Sequence, residues 1–124
     1  MIMANSILVI EDNPDNRTLV TWILEDDGYE VTCAATAEAG IEELLRGNFN
    51  AVLMDISLPG MDGAEATRQI RQMNEYQALP IIALTAHAIK GETETIMASG
   101  VNDLVTKPVD EEQLLTRLAK LIRH

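Results

Sequence analysis

Short apolar runs alternate with amphipathic stretches five times along this chain of 124 residues. The runs that predict strands are residues 7–10, 29–33, 51–54, 81–84 and 103–105. The first, third and fourth are apolar throughout, which is typical of parallel strands covered on both faces. Five strand–helix units of this length predict an α/β fold with a doubly wound, five-stranded parallel sheet. Right-handed crossovers would place helices on both faces of that sheet.

The stretches between the strands have helical periodicity and clear end signals. The residues that predict helix starts are Asn13-Pro14, Thr36, Asp62 with Glu65, and Asp110 with Gln113. Glycines at positions 28, 47 and 100 predict three of the helix ends. The fourth helix, from about residue 90 to residue 99, has only a weak apolar face. The first and fifth helices each have an apolar face of leucine, isoleucine or valine at helical spacing.

Composition restricts the class of protein further. Apolar residues make up 47% of the chain, which indicates a globular protein. The net charge of −11 argues against nucleic-acid and anionic-membrane binding, because both need clustered Lys and Arg. No segment has the length of a signal peptide or a membrane span, so a cytoplasmic location is expected. The single cysteine, Cys33, cannot form an internal disulfide, and we predict that it is a buried strand residue.

Polar side chains stand where the predicted strands end. Glu11 and Asp12 follow the first strand, Asp55 the third, Thr85 the fourth and Lys107 the fifth. Ligands of doubly wound sheets bind beyond the carboxyl ends of the strands, where the strand order reverses. With a strand order of 2-1-3-4-5, the first and third strands are neighbours at that point. The three carboxylates are therefore expected to share one cleft.

Three carboxylates in one cleft repel one another unless a proton or a cation is bound. A shallow site with oxygen ligands only, and neither His nor Cys, favours Mg2+ over Ca2+ and over transition metals. Lys107 adds a positive charge for an anion, and Thr85 adds a hydroxyl donor. A carboxylate nucleophile, a divalent cation, a lysine and a hydroxyl are the groups required for phosphoryl transfer to a carboxylate.

Four motifs occur in a specific order on the expected strands. They are ILVIEDN at 7–13, MDISLPGMDG at 54–63, LTAHA at 84–88 and VTKP at 105–108. Together they resemble the response-regulator receiver domains of two-component and phosphorelay signalling, over about residues 7–121. The resemblance implies a single receiver domain, residues 1–124, with a flavodoxin-like (βα)5 fold. It also implies a phosphoacceptor switch that assists its own phosphorylation and dephosphorylation, rather than an enzyme.

The resemblance assigns roles to individual residues. Asp12 is expected to bind Mg2+ directly, Glu11 to act largely through coordinated water, and the backbone carbonyl of Ser57 to be a further ligand. Asp55 is expected to accept the phosphoryl group and to contribute to the metal site.

On the same resemblance, Thr85 is expected to move towards the phosphoryl group, and Lys107 to pair with its oxygens. The Lys107–Pro108 bond is expected to be cis, which costs least before proline.

Three other functions fit parts of the pattern. A haloacid-dehalogenase-like phosphatase would need a second Asp where this chain has Ser57. A flavodoxin would need a phosphate-binding loop where this chain has Glu11 and Asp12. A pseudo-receiver, which binds partners without phosphorylation, is disfavoured by the intact acidic cluster, Thr85 and Lys107.

The implied partners are a histidine kinase or histidine phosphotransfer protein as phosphodonor, and a downstream protein target. The sequence TAHAIKGE at 85–92 resembles the hybrid-kinase and stand-alone relay subgroups, and a monomer or weak dimer is expected. A helical donor domain is predicted to contact Asn16, Leu19 and Pro108. Trp22 is expected to be half exposed and to pack within the chain, and His87 is expected to be an exposed loop residue.

The chain departs from the family at one position. Most receivers have an aromatic residue three positions before the lysine, and here that residue is Leu104. We predict that Leu104 couples phosphorylation less tightly to the surface of the fourth helix, fifth strand and fifth helix.

Overall fold

The computed structural model describes residues 5–86 and 90–122. Within them, five strands alternate with five α-helices. The strands are β1 (Ser6–Ile10), β2 (Glu30–Ala34), β3 (Ala51–Asp55), β4 (Ile81–Thr85) and β5 (Asp103–Thr106). The helices are α1 (Pro14–Asp26), α2 (Ala37–Arg46), α3 (Gly63–Arg71), α4 (Lys90–Ala98) and α5 (Glu111–Ile122). A single 3-10 turn, Asn74–Tyr76, lies between α3 and β4.

The strands form one parallel sheet in the order β2-β1-β3-β4-β5, so the predicted fold class and strand order are confirmed. Each strand bound differs from the prediction by at most one residue: β1 begins one residue earlier and β2 is shifted by one residue. The strands β3, β4 and β5 each end one residue later, because Asp55, Thr85 and Thr106 still belong to the ladder. Asp55 pairs with Leu84, and Thr85 pairs with Thr106. Asp55 and Thr85 are therefore held by the hydrogen bonds of the sheet rather than by free loops.

Alternate residues of the central strands pack on opposite faces of the sheet. Leu8 and Ile10 of β1 face a core cluster with buried residues of α2, α3 and α4, while Ile7 and Val9 face a cluster with α1 and α5. Both faces of β1, β3 and β4 are covered, which explains why their sequences are apolar without alternation.

The predicted helix starts are confirmed by their capping bonds. The side-chain oxygens of Asn13, Thr36, Asp62 and Asp110 each accept a hydrogen bond from the backbone N–H three residues later, at 2.8–3.1 Å. Each bond satisfies one of the donors that the first turn of a helix leaves free.

Three predictions about single residues fail or lie outside the described residues. Cys33 is exposed rather than buried, because β2 is an edge strand; its Sγ lies 3.4 Å from Oγ1 of Thr21. Trp22 is 68% exposed, so the expectation that it packs within the chain is wrong. Val20 and Ile23 occupy the buried side of α1, which leaves Trp22 facing outward. His87 lies outside the described residues.

None of the helices in residues 5–86 and 90–122 combines the length and apolar character that crossing a bilayer requires.

Candidate functional site

The carboxyl edge of the sheet brings acidic residues from two neighbouring strands together. Glu11 and Asp12 follow β1, and Asp55 is the last residue of β3. Each of the three side chains offers a carboxylate oxygen, and these oxygens all lie within 4.8 Å of one another. Glu11 and Asp55 are buried, with 0% and 2% of their surface exposed, whereas Asp12 is exposed. We call these three residues the acidic pocket.

Lys107 reaches the acidic pocket from the end of β5. Its Nζ lies 2.8 Å from Oε1 of Glu11 and 3.2 Å from Oδ1 of Asp55. Its backbone N–H donates a 2.8 Å hydrogen bond to the carbonyl of Thr85, which fixes the start of the following loop. The Lys107–Pro108 peptide bond is cis, as the resemblance implied. One ammonium group thus bridges two of the three carboxylates.

The Asp55 carboxylate is held in place but remains in an unfavourable environment. Its Oδ1 accepts a 3.0 Å hydrogen bond from the backbone N–H of Ser57. Burial is the main reason why the pKa of Asp55 is raised above its ordinary value, and the neighbouring Glu11 carboxylate raises it further. The Ser57 N–H and Lys107 act in the opposite direction without cancelling these effects.

The pKa of Lys107 is also raised, but by the neighbouring carboxylates and against the effect of burial. Burial acts to lower the pKa of Lys107, but the Glu11 and Asp55 carboxylates outweigh it, so this pKa is raised. Lys107 is therefore held as a cation beside the pocket.

The two oxygens of Glu11 have different surroundings. Oε2 accepts a 3.1 Å hydrogen bond from the backbone N–H of Asn13. Oε1 is buried, and although it lies 2.8 Å from Nζ of Lys107, it accepts no hydrogen bond of adequate geometry. Lys107 therefore offsets the negative charge of Glu11 without directing an N–H bond at this oxygen. A buried carboxylate oxygen without a well-directed donor is suited to a cation or to water coordinated by one.

Thr85 and Ser57 were the remaining predicted site residues. Thr85 is the last residue of β4 and is buried, so it lies at the same edge of the sheet as the acidic pocket. Ser57 is exposed and is the second residue of the loop that follows Asp55. The predicted role of its backbone carbonyl as a metal ligand stays a prediction.

The loop after Asp55 turns back closely against the strand that carries it. The backbone N–H of Gly63 donates a 3.1 Å hydrogen bond to the carbonyl of Ile56. A Cβ at position 63 would lie 2.9 Å from Cα of Ile56, and closer still to the carbonyl oxygen of Asp55. Glycine is therefore required where α3 begins, so that the helix can lie directly against the end of β3.

The chemistry of the acidic pocket fits a hard divalent cation. All of its potential metal-ligand atoms from side chains are carboxylate oxygens. Three negative groups face one ammonium group, and one buried oxygen receives no well-directed hydrogen bond. Mg2+ prefers oxygen ligands and usually keeps several of its waters, which the exposed side of the pocket at Asp12 allows.

Arg17 also contacts this site and was not identified from the sequence. Its Nη1 donates to the backbone carbonyl oxygens of Glu11, at 2.9 Å, and of Asp12, at 3.0 Å. Both acceptors are backbone atoms, so no pairing of residue types signals the contact. The only available signal was a cation one turn into α1, just after the acidic residues.

Comparison with known proteins decides the family. The model of the response regulator receiver domain family matches residues 7–119. This chain belongs to that family. Receiver domains are phosphoacceptor switches that interact with histidine kinases or phosphotransfer proteins and with downstream targets.

Several relatives of known sequence are much longer proteins. The sensor protein GacS of Pseudomonas syringae pv. syringae is 42% identical over 114 residues, which cover 90% of this chain and 13% of that protein. The signal transduction histidine-protein kinase BarA of Escherichia coli K12 is 36% identical over 112 residues, 90% of this chain and 12% of the kinase. The chain thus spans about an eighth of these relatives, and it is homologous to the receiver domains of hybrid histidine kinases.

A solved structure adds information about the cation. The receiver domain of a Pseudomonas aeruginosa sensor histidine kinase is 38% identical and superposes with a TM-score of 0.92, covering 98% of this chain and 100% of that domain. That domain carries a magnesium ion coordinated in its active-site cleft. A response regulator from Chloroflexus aurantiacus superposes with a TM-score of 0.94 at 26% identity, covering 98% of this chain and 100% of that one.

Family membership also decides between the functions that the sequence left open. It excludes the haloacid-dehalogenase-like phosphatase and the flavodoxin, because each belongs to another family. A pseudo-receiver has the same fold, so only chemistry separates it from a phosphorylated receiver.

Proposed function

We propose that this receiver domain accepts a phosphoryl group from a phosphohistidine donor onto the carboxylate of Asp55, with Mg2+ bound beside it. The observation that carries the proposal is the convergence of Glu11, Asp55 and Lys107 from three strands within 3.2 Å contacts. Glu11 Oε1 adds support, because it is buried and receives no well-directed hydrogen bond although it lies 2.8 Å from Nζ of Lys107.

The residues of the pocket have distinct parts in the transfer. A carboxylate oxygen of Asp55 forms a bond to phosphorus as the phosphorus–nitrogen bond to the donor imidazole breaks. The Ser57 N–H and Lys107 orient the Asp55 carboxylate through Oδ1, and Lys107 then neutralises oxygens of the transferred group. We assign the Thr85 hydroxyl to the same oxygens.

Magnesium would be held by Glu11, Asp12 and Asp55, together with the backbone carbonyl of Ser57. Its contribution is to neutralise the negative charge that the pocket and the phosphoryl group bring together. The magnesium-bound receiver of the Pseudomonas aeruginosa kinase supports this assignment by similarity.

Intact-mass spectrometry after treatment with acetyl phosphate tests the proposal. With MgCl2, the wild-type protein should gain the mass of one phosphoryl group, and with EDTA it should gain none. Because this donor needs no kinase, a gain would also show that the domain assists its own phosphorylation. Faster decay of the added mass in the folded protein than in the denatured protein, after the donor is removed, would show the same for dephosphorylation.

Substitution of the acceptor supplies the decisive comparison. Asp55→Asn should abolish the gain, whereas the matched control Asp62→Asn should keep it, because asparagine also caps α3. An unchanged gain in Asp55→Asn would disprove the assignment of the acceptor. No gain in the wild-type protein would indicate a pseudo-receiver.

We further propose that a helical donor domain docks on α1 beside the pocket, with contacts at Asn16, Leu19 and Pro108. Leu19 is 41% exposed, and Pro108 is exposed and follows Lys107 in the loop between β5 and α5. Exposed apolar side chains near the acceptor support a protein partner. The donor would be a histidine kinase or a histidine phosphotransfer protein.

Asn16→Arg should slow phosphoryl transfer from the cognate donor, while phosphorylation by acetyl phosphate should not change. Asn48→Arg adds the same charge beside the amino ends of the strands and is the control. Transfer at an undiminished rate to Asn16→Arg would contradict this docking face. A cytoplasmic location, a downstream protein target, the monomer or weak dimer, and one domain over residues 1–124 stay predictions.

A further inference from the structure

The loop between β1 and α1 carries two of the three pocket carboxylates, and a side chain outside the pocket holds its backbone. Nη1 of Arg17 donates to two successive carbonyl oxygens, at 2.9 Å to Glu11 and at 3.0 Å to Asp12. In a chain with 20 acidic residues, an arginine would ordinarily pair with a carboxylate. Within residues 5–86 and 90–122, however, no ion pair involves Arg17.

One peptide group links Arg17 to the Glu11 side chain, because its carbonyl accepts from Arg17 and its N–H donates to Glu11. The carbonyl of Asp12 and the N–H of Asn13 belong to the same planar, trans peptide, so they point in opposite directions. Arg17 holds the carbonyl side of that peptide, and the N–H side donates to Oε2 of Glu11 at 3.1 Å. A donor on the carbonyl also polarises the peptide and strengthens the bond made by its N–H.

This chain of contacts fixes how the Glu11 carboxylate is presented. With Oε2 held by the Asn13 N–H, the other oxygen, Oε1, is the one directed towards Lys107 and the pocket. The contact with the Glu11 carbonyl fixes the adjoining peptide, from which the Asp12 side chain departs. Both metal-binding candidates of this loop therefore depend on one guanidinium nitrogen.

We propose that Arg17 is a positioning residue that orients the Glu11–Asp12–Asn13 backbone for binding of the divalent cation. This inference rests on the proposed function, since it assumes that the acidic pocket binds Mg2+. Arg17 acts through the loop and touches neither the cation nor the phosphoryl group. Groups that orient metal ligands in this way typically change the affinity for the metal when they are removed.

The sign of the effect separates positioning from simple electrostatics. Removing a positive charge near an acidic pocket should strengthen cation binding through the longer-range field. Loss of a positioning contact should weaken it, because the Glu11 and Asp12 carboxylates lose their fixed orientation. Arg17→Gln should therefore bind Mg2+ about tenfold more weakly than wild type, measured by isothermal titration calorimetry.

Two variants complete the comparison. Arg17→Lys should recover most of the affinity, because a single nitrogen makes both contacts and an ammonium group offers three donors. Arg46→Gln, at the end of α2, removes one positive charge at an exposed position away from this loop and should leave the affinity for Mg2+ unchanged or slightly higher.

A metal-free measurement reports the positioning directly. In Arg17→Gln, the Asn13 amide should exchange with deuterium faster than in wild type, while amides in the middle of β3 keep their protection. In the wild-type protein, the guanidinium 15N signals of Arg17 should be resolved and slow to exchange. This last measurement needs no substitution, so it remains valid if Arg17→Gln does not fold.

The outcomes are distinct. Wild-type affinity or tighter Mg2+ binding in folded Arg17→Gln would overturn the role of Arg17 and leave the proposed function intact. Guanidinium signals averaged by free rotation would overturn it as well. If wild type binds no Mg2+ by calorimetry, the proposed function fails, and this role fails with it.

Discussion

Charged side chains are partly buried at both ends of the parallel strands, but the two ends differ in how these charges are paired. Where β4 and β5 begin, the half-buried guanidinium of Arg71 donates to the carbonyls of Gly100, at 2.9 Å, and Tyr76, at 2.6 Å, and to Oδ1 of Asn102, at 2.9 Å. We call these four residues the Arg71 network. At the carboxyl edge, the acidic pocket has one ammonium group for three carboxylates and leaves Glu11 Oε1 without a well-directed donor.

The difference shows where the molecule gains stability and where it gives stability up. Every guanidinium nitrogen of Arg71 has an acceptor, and Asn102 in turn accepts from the backbone N–H of Ile81 at 2.8 Å. This network joins α3, the loop after α4, and the first residue of β4. The acidic pocket keeps repelling carboxylates close together, which is favourable only when a cation is bound.

The largest effect is expected from removing the Arg71 network. Arg71→Met should lower the free energy of unfolding by about 2 kcal/mol, because it leaves several partly buried acceptors without their charged donor. Gly100 has a positive φ of +116°, and a Cβ there would lie 2.8 Å from Cγ of Arg71, so the loop is shaped around this side chain. Urea denaturation followed by circular dichroism measures the change.

Arg68→Met is the matched control for that prediction. Arg68 lies on the same helix and is exposed, with an ion pair to Glu65 at 3.3 Å. Its loss should cost less than about 0.5 kcal/mol. Equal losses in both variants would mean that the Arg71 network is no more important than a surface ion pair.

The second effect has the opposite sign and lies at the acidic pocket. Asp55→Asn should raise the free energy of unfolding of the metal-free protein at pH 7, because burial and Glu11 raise the pKa of Asp55 and so make its ionised form unfavourable in the folded state. Between the ordinary value of 3.8 and the raised pKa, the folded state binds more protons than the unfolded state. Stability conferred by protonated Asp55 is therefore lost as pH rises through that interval.

The measurement is the difference in unfolding free energy between wild type and Asp55→Asn as a function of pH. The difference should grow as pH rises from below 3.8 and become constant above the raised pKa. A difference that is independent of pH would show that Asp55 ionisation does not destabilise the fold.

A smaller effect is expected at the exposed member of the pocket. Asp12→Ala should melt at a higher temperature than wild type in EDTA, because it removes one of three repelling carboxylates. Added Mg2+ should raise the melting temperature of wild type more than that of the variant, by mass action on the folded state. Equal shifts with Mg2+ would place the cation elsewhere. Asp62→Asn again serves as the control, since it leaves the pocket intact.

The smallest effect is expected on the surface formed by α4, β5 and α5. Leu104 is half-buried and packs against the core cluster under α2, α3 and α4. It has no ring to exchange between solvent and the region around Thr85, so phosphorylation should change the surface of α4, β5 and α5 only modestly. NMR spectra of free and beryllofluoride-bound protein with Mg2+ measure this. Shifts throughout α4 and α5 as large as those near Asp55 would show that Leu104 does not uncouple the switch.

Much of the fold could be predicted from local signals. Capping residues such as Asn13 and Asp62 act within one helical turn, so their sequence spacing is sufficient to identify them. The strand ends were predicted one residue short at Asp55 and Thr85, because a polar residue that continues a ladder looks like the start of a loop.

The errors arise where tertiary position outweighs local pattern. Cys33 lies in a largely apolar stretch of sequence, which predicts burial, but it belongs to an edge strand. Only the strand order combined with the placement of the helices shows that it is exposed. The contacts of Arg17 and Arg71 could not be predicted, because both side chains bind backbone carbonyls. For Arg71 the partners also include residues 29 and 31 positions away.

The absence of a side chain at position 63 limits how this sequence can drift over evolutionary time. Any Cβ there would collide with the carbonyl of Asp55 and with Cα of Ile56, so a replacement must displace either the end of β3 or the first turn of α3. Gly63 has no functional group, yet a mutational scan scored for phosphotransfer should find it as intolerant as Asp55. Substitutions would be excluded by steric overlap at Gly63 and by loss of the reacting carboxylate at Asp55.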